Sequence, residues 1–342
     1  MLISAICCQV HAVGASTGNQ MDLHHFKSFD SYADAIFDAD ARVFLLGSGA
    51  GDWTINRFDI DGLKLQHGRA AVSNICEVVC RSTHLTLLLS HPAPSQSWLN
   101  GVPLNAASLG VLAPGKGYVF RAAGPTEWMS LSLPIDADVF NGVGLMAQTL
   151  RRWRSAGGME KTDPLQWSAL REAALMAMTP DCPPGTGRRF IERRLFDLIA
   201  SRAPNDQSKG RPSSSLSGLC DATLALLRER NERTQVDDLR RGLKISERSL
   251  RGFFQTCFGM GPGHYLSLRK LHDVYWDLAS GTGARMTVAD CFLQHGYAYS
   301  THSAAQYRAL FLETPSATRQ RLHPRQQHAA PKHQRARTPI RT

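Results

Sequence analysis

The chain has 342 residues, of which 43% are hydrophobic and 20% charged, and a formal net charge of +10. That apolar content excludes a wholly disordered chain, and the length suggests two domains, each able to bury a core. No apolar run reaches the ~18 residues a membrane span needs, so no membrane partner is expected. Nine of the ten excess positive charges follow Ser213: residues 213–322 carry +4 and residues 323–342 carry +5. The asymmetry points to a polyanion as partner of the C-terminal part, against the plainer reading of a solvated face with a sticky tail.

Residues 1–21 faintly imitate a secretory leader but lack its basic n-region, so they are expected to be disordered or a mis-assigned start. Residues 22–136 hold short apolar runs separated by turn signals, among them RVFLLGSG, HLTLLLSHPAP and SLGVLAPGKGYVFRAAGP. Asp61-Gly62 and Asn100-Gly101 are hairpin signals between such runs. The expectation is a β-sandwich or barrel whose mouth could hold a small ligand. A purely structural barrel is the alternative.

Eight cysteines in a chain of this length do not make a disulfide framework and suit a reducing cytosol. Cys76, Cys80, His84 and His91 are of zinc-ligating type, but AAVSNICEVVC reads as a strand. Four residues of strand span ~13 Å, too far for two thiolates to share one tetrahedral ion. No metal site, cofactor or catalytic constellation is expected, and a cofactor-binding residue cannot be named. His67, His84 and His91 are isolated, which counts against the alternative of a cupin-type enzyme fused to a binding module.

Residues 137–202 switch to helical periodicity. LQWSALREAALMAM places Leu165, Ala169, Leu170, Ala173, Met176 and Ala177 on one stripe, and RRFIERRLFDLIA places Phe190, Ile191, Leu195, Leu198 and Ile199 on another. This stretch is expected to be a dimerisation and connector region, or simply a cap on the barrel. Residues 203–218 have a linker composition, and residues 323–342 read as a disordered basic tail.

Residues 219–322 are helical throughout. Leu219, Thr223, Leu224 and Leu227 share a face; Val236, Leu239 and Leu243 start a second helix, and Gly242 permits close approach of a neighbour. After a turn at Lys244-Ile245, Ser246 sits where an N-cap belongs, followed by ERSLRGFFQTCF with Leu250, Phe253 or Phe254, and Cys257 inward. Glu247, Arg248, Arg251 and Gln255 face outward. A short helix, a tight turn and a capped helix with an Arg-bearing outer face is the helix-turn-helix pattern. It recurs as TVADCFLQHGY, closing near Gly296, then STHSAAQYRALF. A long helix with Leu268, Leu271, Tyr275 and Leu278 on one stripe joins the two units and is expected to end at Gly281 and Gly283.

The stretches SERSLRGFFQTCFGMGPGHYLSLRKL and YRALFLETPSATR, in this order and spacing, resemble the DNA-binding domain of the AraC/XylS family of bacterial transcription regulators over about 100 residues. The preceding β-rich region resembles, more weakly, the cupin-like sensor domain of that family. The fold class so implied is α+β multidomain: an N-terminal cupin-like β-barrel with flanking helices, and a C-terminal all-α domain of two helix-turn-helix units joined by a long helix. The resemblance implies a ligand-responsive, sequence-specific DNA-binding regulator in the cytoplasm, associated with the nucleoid. Its expected partners are double-stranded promoter DNA, RNA polymerase, a small-molecule effector and a second copy of the chain.

By position, the resemblance assigns Ser246 to the cap of the first recognition helix and Arg248 and Arg251 to base edges, where Arg suits guanine O6 and N7. Glu247, Gln255, Thr301, His302, Gln306 and Arg308 complete the expected DNA-binding set, with Arg308 on phosphate. The second unit departs from the family pattern at Phe292 (usually Ala), Ser303 (usually bulky apolar), Ala305 (usually polar) and Leu312 (usually Gly). The expectation is that Phe292 and Ser303 compensate, large for small. Lys244 also departs, in a turn where the family often has Gly. The worn second unit keeps open an alternative: a relative with weakened DNA binding that acts through protein contacts.

Overall fold

The computed structural model describes residues 22–48, 51–60, 62–90, 96–105, 108–179, 181–183, 185–201, 216–229, 234–280 and 286–322. The expectations for residues 1–21 and 323–342, for most of the linker, and for Asp61, His91, Gly281 and Gly283 lie outside these residues. The chain divides into two compact units, Met1–Leu268 and Arg269–Thr342.

The first unit begins with β1 (Asp22–Phe26) and α1 (Phe29–Asp34) and continues through β2 (Ala39–Leu45), β3 (Trp53–Ile60), β4 (Leu63–Ala70), β5 (Asn74–Cys80) and β6 (His84–Ser90). The strands β7 (Ser97–Leu99), β8 (Val102–Pro103), β9 (Ser108–Leu112), β10 (Gly117–Ala122) and β11 (Thr126–Pro134) follow. A late strand, β12 (Gly158–Lys161), pairs with β9. Two antiparallel sheets result, ordered β1-β3-β4-β11-β6-β9-β12 and β2-β5-β10-β7-β8. Among the described residues no pairing joins them into one closed barrel. Asn100 and Gly101, both at positive φ (50° and 79°), make the two-residue turn between β7 and β8, as the Asn-Gly signal implies.

Alternation decides what each sheet face meets. In the seven-stranded sheet Leu65, Leu85, Leu87, Leu89, Met129 and Leu131 face outward into a core shared with helices. Those helices are α2 (Asp138–Asn141), α3 (Leu145–Ala156), α4 (Pro164–Ala177) and α5 (Thr186–Ala200). Asp163 caps α4, its Oδ1 accepting from the Leu165 and Gln166 amides, with Pro164 in the first turn. The buried stripe of α4 is Trp167, Leu170, Ala173, Ala174 and Ala177. Leu165 and Met176, expected inside, are 78% and 61% exposed. The indole of Trp167 offers more apolar area than Leu165 and sets the rotation of the helix. On α5, Ile191, Leu195, Leu198 and Ile199 are buried as expected, whereas Phe190 is half-exposed.

The first unit also contains α6 (Leu216–Glu229), α7 (Val236–Leu243), α8 (Glu247–Phe258) and the start of α9 (Pro262–Ala279). Leu250, Phe253, Phe254, Cys257 and Phe258 of α8 are all buried. At Gly242 a Cβ would lie 2.6 Å from Leu226 Cδ1, which accounts for the small residue there.

The second unit takes the remainder of α9, then α10 (Val288–Gln294), α11 (Thr301–Phe311) and α12 (Pro315–Leu322). Its core is aromatic. Phe292 meets Tyr299 at 5.1 Å and Tyr307 at 6.1 Å between ring centroids, and Phe311 stacks on Tyr275 at 4.7 Å. Buried Tyr307 donates to Thr318 Oγ1 at 2.8 Å. His272, fully buried against Phe311, was not expected in this core.

Candidate functional site

The turn between α7 and α8 positions the candidate nucleic-acid face. Gln235 and Asp238 make a capping box at the start of α7. Lys244 ends α7 in the left-handed region at φ 54°. Ser246 then caps α8, its Oγ accepting from the Ser249 amide at 3.1 Å. With ~100° of rotation per residue, Glu247, Arg248, Arg251 and Gln255 fall within an arc of about 100°. All four are exposed. Glu247 and Arg251 form an i,i+4 pair at 2.6 Å. Both are mostly solvated, so the pair contributes at most about 0.5 kcal/mol and either group can turn to a ligand at little cost. Arg248 makes no ion pair among the described residues. Gln255 Nε2 donates to the Gly259 carbonyl at 3.2 Å, at the foot of the helix.

In the second unit Thr287 and Asp290 form a capping box on α10, and Ser300 caps α11. Ser303 fills no apolar hole. Its hydroxyl accepts from the Ser300 amide at 2.9 Å and donates toward the Ala298 and Ser300 carbonyls. The Ser-x-x-Ser spacing was a readable cap signal. Thr301, His302, Gln306 and Arg308 are exposed together with Ala305 and Ala309. This face has polar groups interrupted by methyls. Leu312 ends α11 at φ 59°, holding without glycine the left-handed position that glycine usually fills.

Behind α8 the five-stranded sheet has two occupied faces. Its outward residues meet the helices of the same unit. Asp221 of α6 accepts from the Gly117 amide at 2.7 Å and pairs with Lys116 at 3.5 Å. Arg228 pairs with Asp40 at 2.7 Å. Arg121 stacks on Trp98 at 3.6 Å and lies against Gly259, the C-cap of α8, where a cation complements the helix end. Burial pulls the Arg121 guanidinium below its ordinary range. At the centre, the buried Tyr265 hydroxyl donates to the buried carboxylate of Glu77. Glu77 stands in register between Arg42 on β2 and Val119 on β10. None of Glu77, Tyr265, Asp221 or Arg121 was singled out from sequence. The one signal was a lone Glu inside the apolar strand NICEVVC.

The inward residues of the same sheet line a cavity of about 80 Å³ between the sheets. Cys76, Val78 and Cys80 of β5, Phe120 of β10 and Leu99 of β7 contribute from one side, and Gln66, Thr86, Leu88, Trp128 and Ser130 from the other. Burial pushes both cysteine thiols up to about 12, so they stay protonated at neutral pH. They lie on one strand as the sequence implied, and no group of three metal-ligating side chains occurs among the described residues. His84 sits with its ring 3.4 Å from Asp38 Oδ1; burial pulls its pKa down, against the pull of that carboxylate. No described helix is long and apolar enough to cross a membrane.

Residues 239–321 match the family described as a helix-turn-helix domain, a span that runs from within α7 to within α12. Among solved structures, the chain is similar to the AraC-like transcriptional activator CuxR, at 13% identity over 75% of this chain and 95% of that one, with a TM-score of 0.41. It is also similar to ToxT from Vibrio cholerae, at 9% identity over 88% and 97%, with a TM-score of 0.28. A ToxT structure bound to (E)-4-(8-methylnaphthalen-1-yl)but-3-enoic acid aligns at 10% identity over 90% and 100%, with a TM-score of 0.28.

Proposed function

We propose that this protein is a sequence-specific, promoter-binding transcription regulator that answers to a small molecule, because residues 239–321 match a helix-turn-helix domain family. One observation carries the reading. Helix α8 presents Glu247, Arg248, Arg251 and Gln255 to solvent, while its back packs on a sheet whose other face lines the cavity. Arg248 and Arg251 read guanine edges in the major groove, Glu247 accepts from cytosine N4, and the Ser246 end of α8 meets phosphate. Arg308, with Thr301, His302 and Gln306, holds phosphate and sets position rather than sequence. The regulator works without catalysis, as a homodimer in the cytoplasm, and hands its signal to RNA polymerase.

Strand β5 supports the link between ligand and DNA. Cys76, Val78 and Cys80 point to the cavity and Glu77 points to Tyr265, so a ligand that shifts the strand shifts the seat of the helix-turn-helix. The experiment is a mobility shift on the chain's own upstream DNA. Arg251→Ala should relax preference at one or two base pairs, costing about 1–3 kcal/mol on the best site. Arg308→Ala should weaken all sequences alike. Equal, sequence-independent losses in both variants would refute this division.

A second reading has its own observation. Leu293, Tyr299 and Leu312 of the second unit are 70%, 46% and 59% exposed, and Ala305 and Ala309 interrupt the polar face of α11. That surface suits a protein partner. A full-length footprint confined to the site of α8 would favour this reading for the second unit.

A further inference from the structure

We propose that the cavity takes a small, uncharged molecule without hydrogen-bonding groups, of the short-hydrocarbon class, and excludes anions, cations and polyols. The proposal rests on the reading of the cavity as the effector site. The surface that meets the space is apolar. Val78 and Phe120 line it from β5 and β10, neighbouring strands that are each paired on both sides. Both point between the sheets, yet both are only partly buried, so the area they leave open belongs to the cavity. The wall is also held back from the centre. A Cβ at Gly68 would lie 2.4 Å from Trp128 Cε2, so the indole rests directly on the β4 backbone. A Cβ at Gly110 would lie 2.9 Å from Leu99 Cδ2 and 3.0 Å from Leu88 Cβ, so these two side chains draw back onto β9. Trp128 Nε1 is tied in addition to the Tyr32 hydroxyl at 2.7 Å. Large side chains seated on glycine leave the space between the sheets open.

The polar side chains of the wall are bonded to one another or to backbone. Gln66 Oε1 accepts from the Phe37 amide at 2.8 Å and Gln66 Nε2 donates to Ser130 at 3.3 Å. Asn74 Nδ2 donates to the Val72 carbonyl at 2.8 Å, and Thr86 bonds to Ser132 at 2.9 Å. Burial keeps the Cys76 and Cys80 thiols protonated, hence uncharged. A polyol would give up its bonds to water for a wall that has few to return. Water is poorly served for the same reason, since a buried molecule needs two to four polar partners.

Charge excludes ions. Among the described lining residues none is Lys, Arg or His, so a carboxylate would enter without a counter-cation. The one carboxylate among them, Asp38, is already paired with Lys64 at 3.1 Å, so an ammonium would enter without a counter-anion. An apolar occupant loses nothing to the wall and restores the dispersion contacts that an empty space forfeits. Size sets its length: the volume is about half that of the ~150 Å³ apolar cavity that holds benzene, which suits about three or four heavy atoms.

The test uses the full chain and four probes on one three-carbon skeleton: propane, propionate, propylamine and glycerol. Methyl resonances of Val78, Leu88 and Leu112, all in the wall, report occupancy. The expected result is saturable shifts with dissolved propane, at an affinity at least about tenfold above each of the other three, because each of those buries a charge or hydroxyls without partners. Val78→Leu adds a methylene to the space and should weaken propane binding about tenfold or more. Propane bound equally well by Val78→Leu would place the shifts outside the cavity and overturn the proposal. Propionate, propylamine or glycerol binding the wild type as well as propane would overturn the apolar assignment and leave the cavity as an effector site. No shift at the three methyls with any probe would overturn both. The wild-type comparison decides even if Val78→Leu does not fold.

Discussion

Two side chains hold left-handed backbone where glycine would cost nothing. Lys244 at φ 54° and Leu312 at φ 59° close α7 and α11, and both are exposed. An L-residue in that region gives up roughly 1–2 kcal/mol, part of which glycine returns as unfolded-state entropy. Lys244→Gly and Leu312→Gly should therefore each stabilise by about 0.5–1 kcal/mol, read as a higher urea midpoint. Glu313 offers a pH test at the same scale. Burial raises its pKa, but Arg321 at 2.7 Å and the Thr318 hydroxyl at 2.8 Å outweigh it, so the carboxyl sits below its ordinary range. A depressed carboxyl stabilises the fold above the unfolded pKa and loses that contribution as pH falls through the folded one. Glu313→Gln should destabilise by about 0.5–1 kcal/mol at pH 7. The difference should shrink as pH falls below about 4.3. A penalty unchanged at pH 3 would contradict the ion pair as its source.

At the scale of elements, the second helix-turn-helix is held by an aromatic cluster and a serine cap. The large-for-small exchange expected between Phe292 and Ser303 takes another form. Phe292 is enclosed by Tyr297, Tyr299 and Tyr307, and Ser303 bonds the turn backbone. Phe292→Ala should cost about 3–5 kcal/mol and Ser303→Ala about 1 kcal/mol. Amide exchange over residues 286–322 should report both losses. A Phe292→Ala penalty below about 1 kcal/mol would show that the ring is dispensable.

Much of this level was legible. The periodicities of α6, α7 and α8, the Ser246 cap and the Asn100-Gly101 turn depend on near neighbours in sequence, and near neighbours fix them. What was not legible depends on distant partners. The rotation of α4 follows from what Trp167 meets, and β12 forms because β9 offers it an edge. Asp38 and Glu77 look like ordinary acids until the fold brings Lys64, His84 and Tyr265 to them. The candidate DNA-binding face was readable because helix geometry alone sorts Arg248 and Arg251 outward. The cavity's polar wall was not.

For the whole molecule, charge and docking set different properties. On the proposed function, the five cationic residues after Leu322 add salt-sensitive attraction. Removing residues 323–342 should lower affinity for all DNA alike and reduce the salt slope by up to about 4.5, leaving the ratio of specific to non-specific binding unchanged. Docking of the first helix-turn-helix should govern the response to ligand. Tyr265→Phe takes one hydrogen bond from buried Glu77, costing about 1.5–3 kcal/mol, and should uncouple DNA affinity from occupancy of the cavity. Ligand-dependent affinity preserved in Tyr265→Phe would place the coupling elsewhere.

Genome-wide occupancy of the wild-type chain beside the Arg248→Ala/Arg251→Ala variant tests the central claim most directly. The account predicts discrete wild-type sites that share a guanine-containing element, lost in the variant while a salt-sensitive background remains. The same sites, occupied equally by the variant, would contradict α8 as the element that reads DNA.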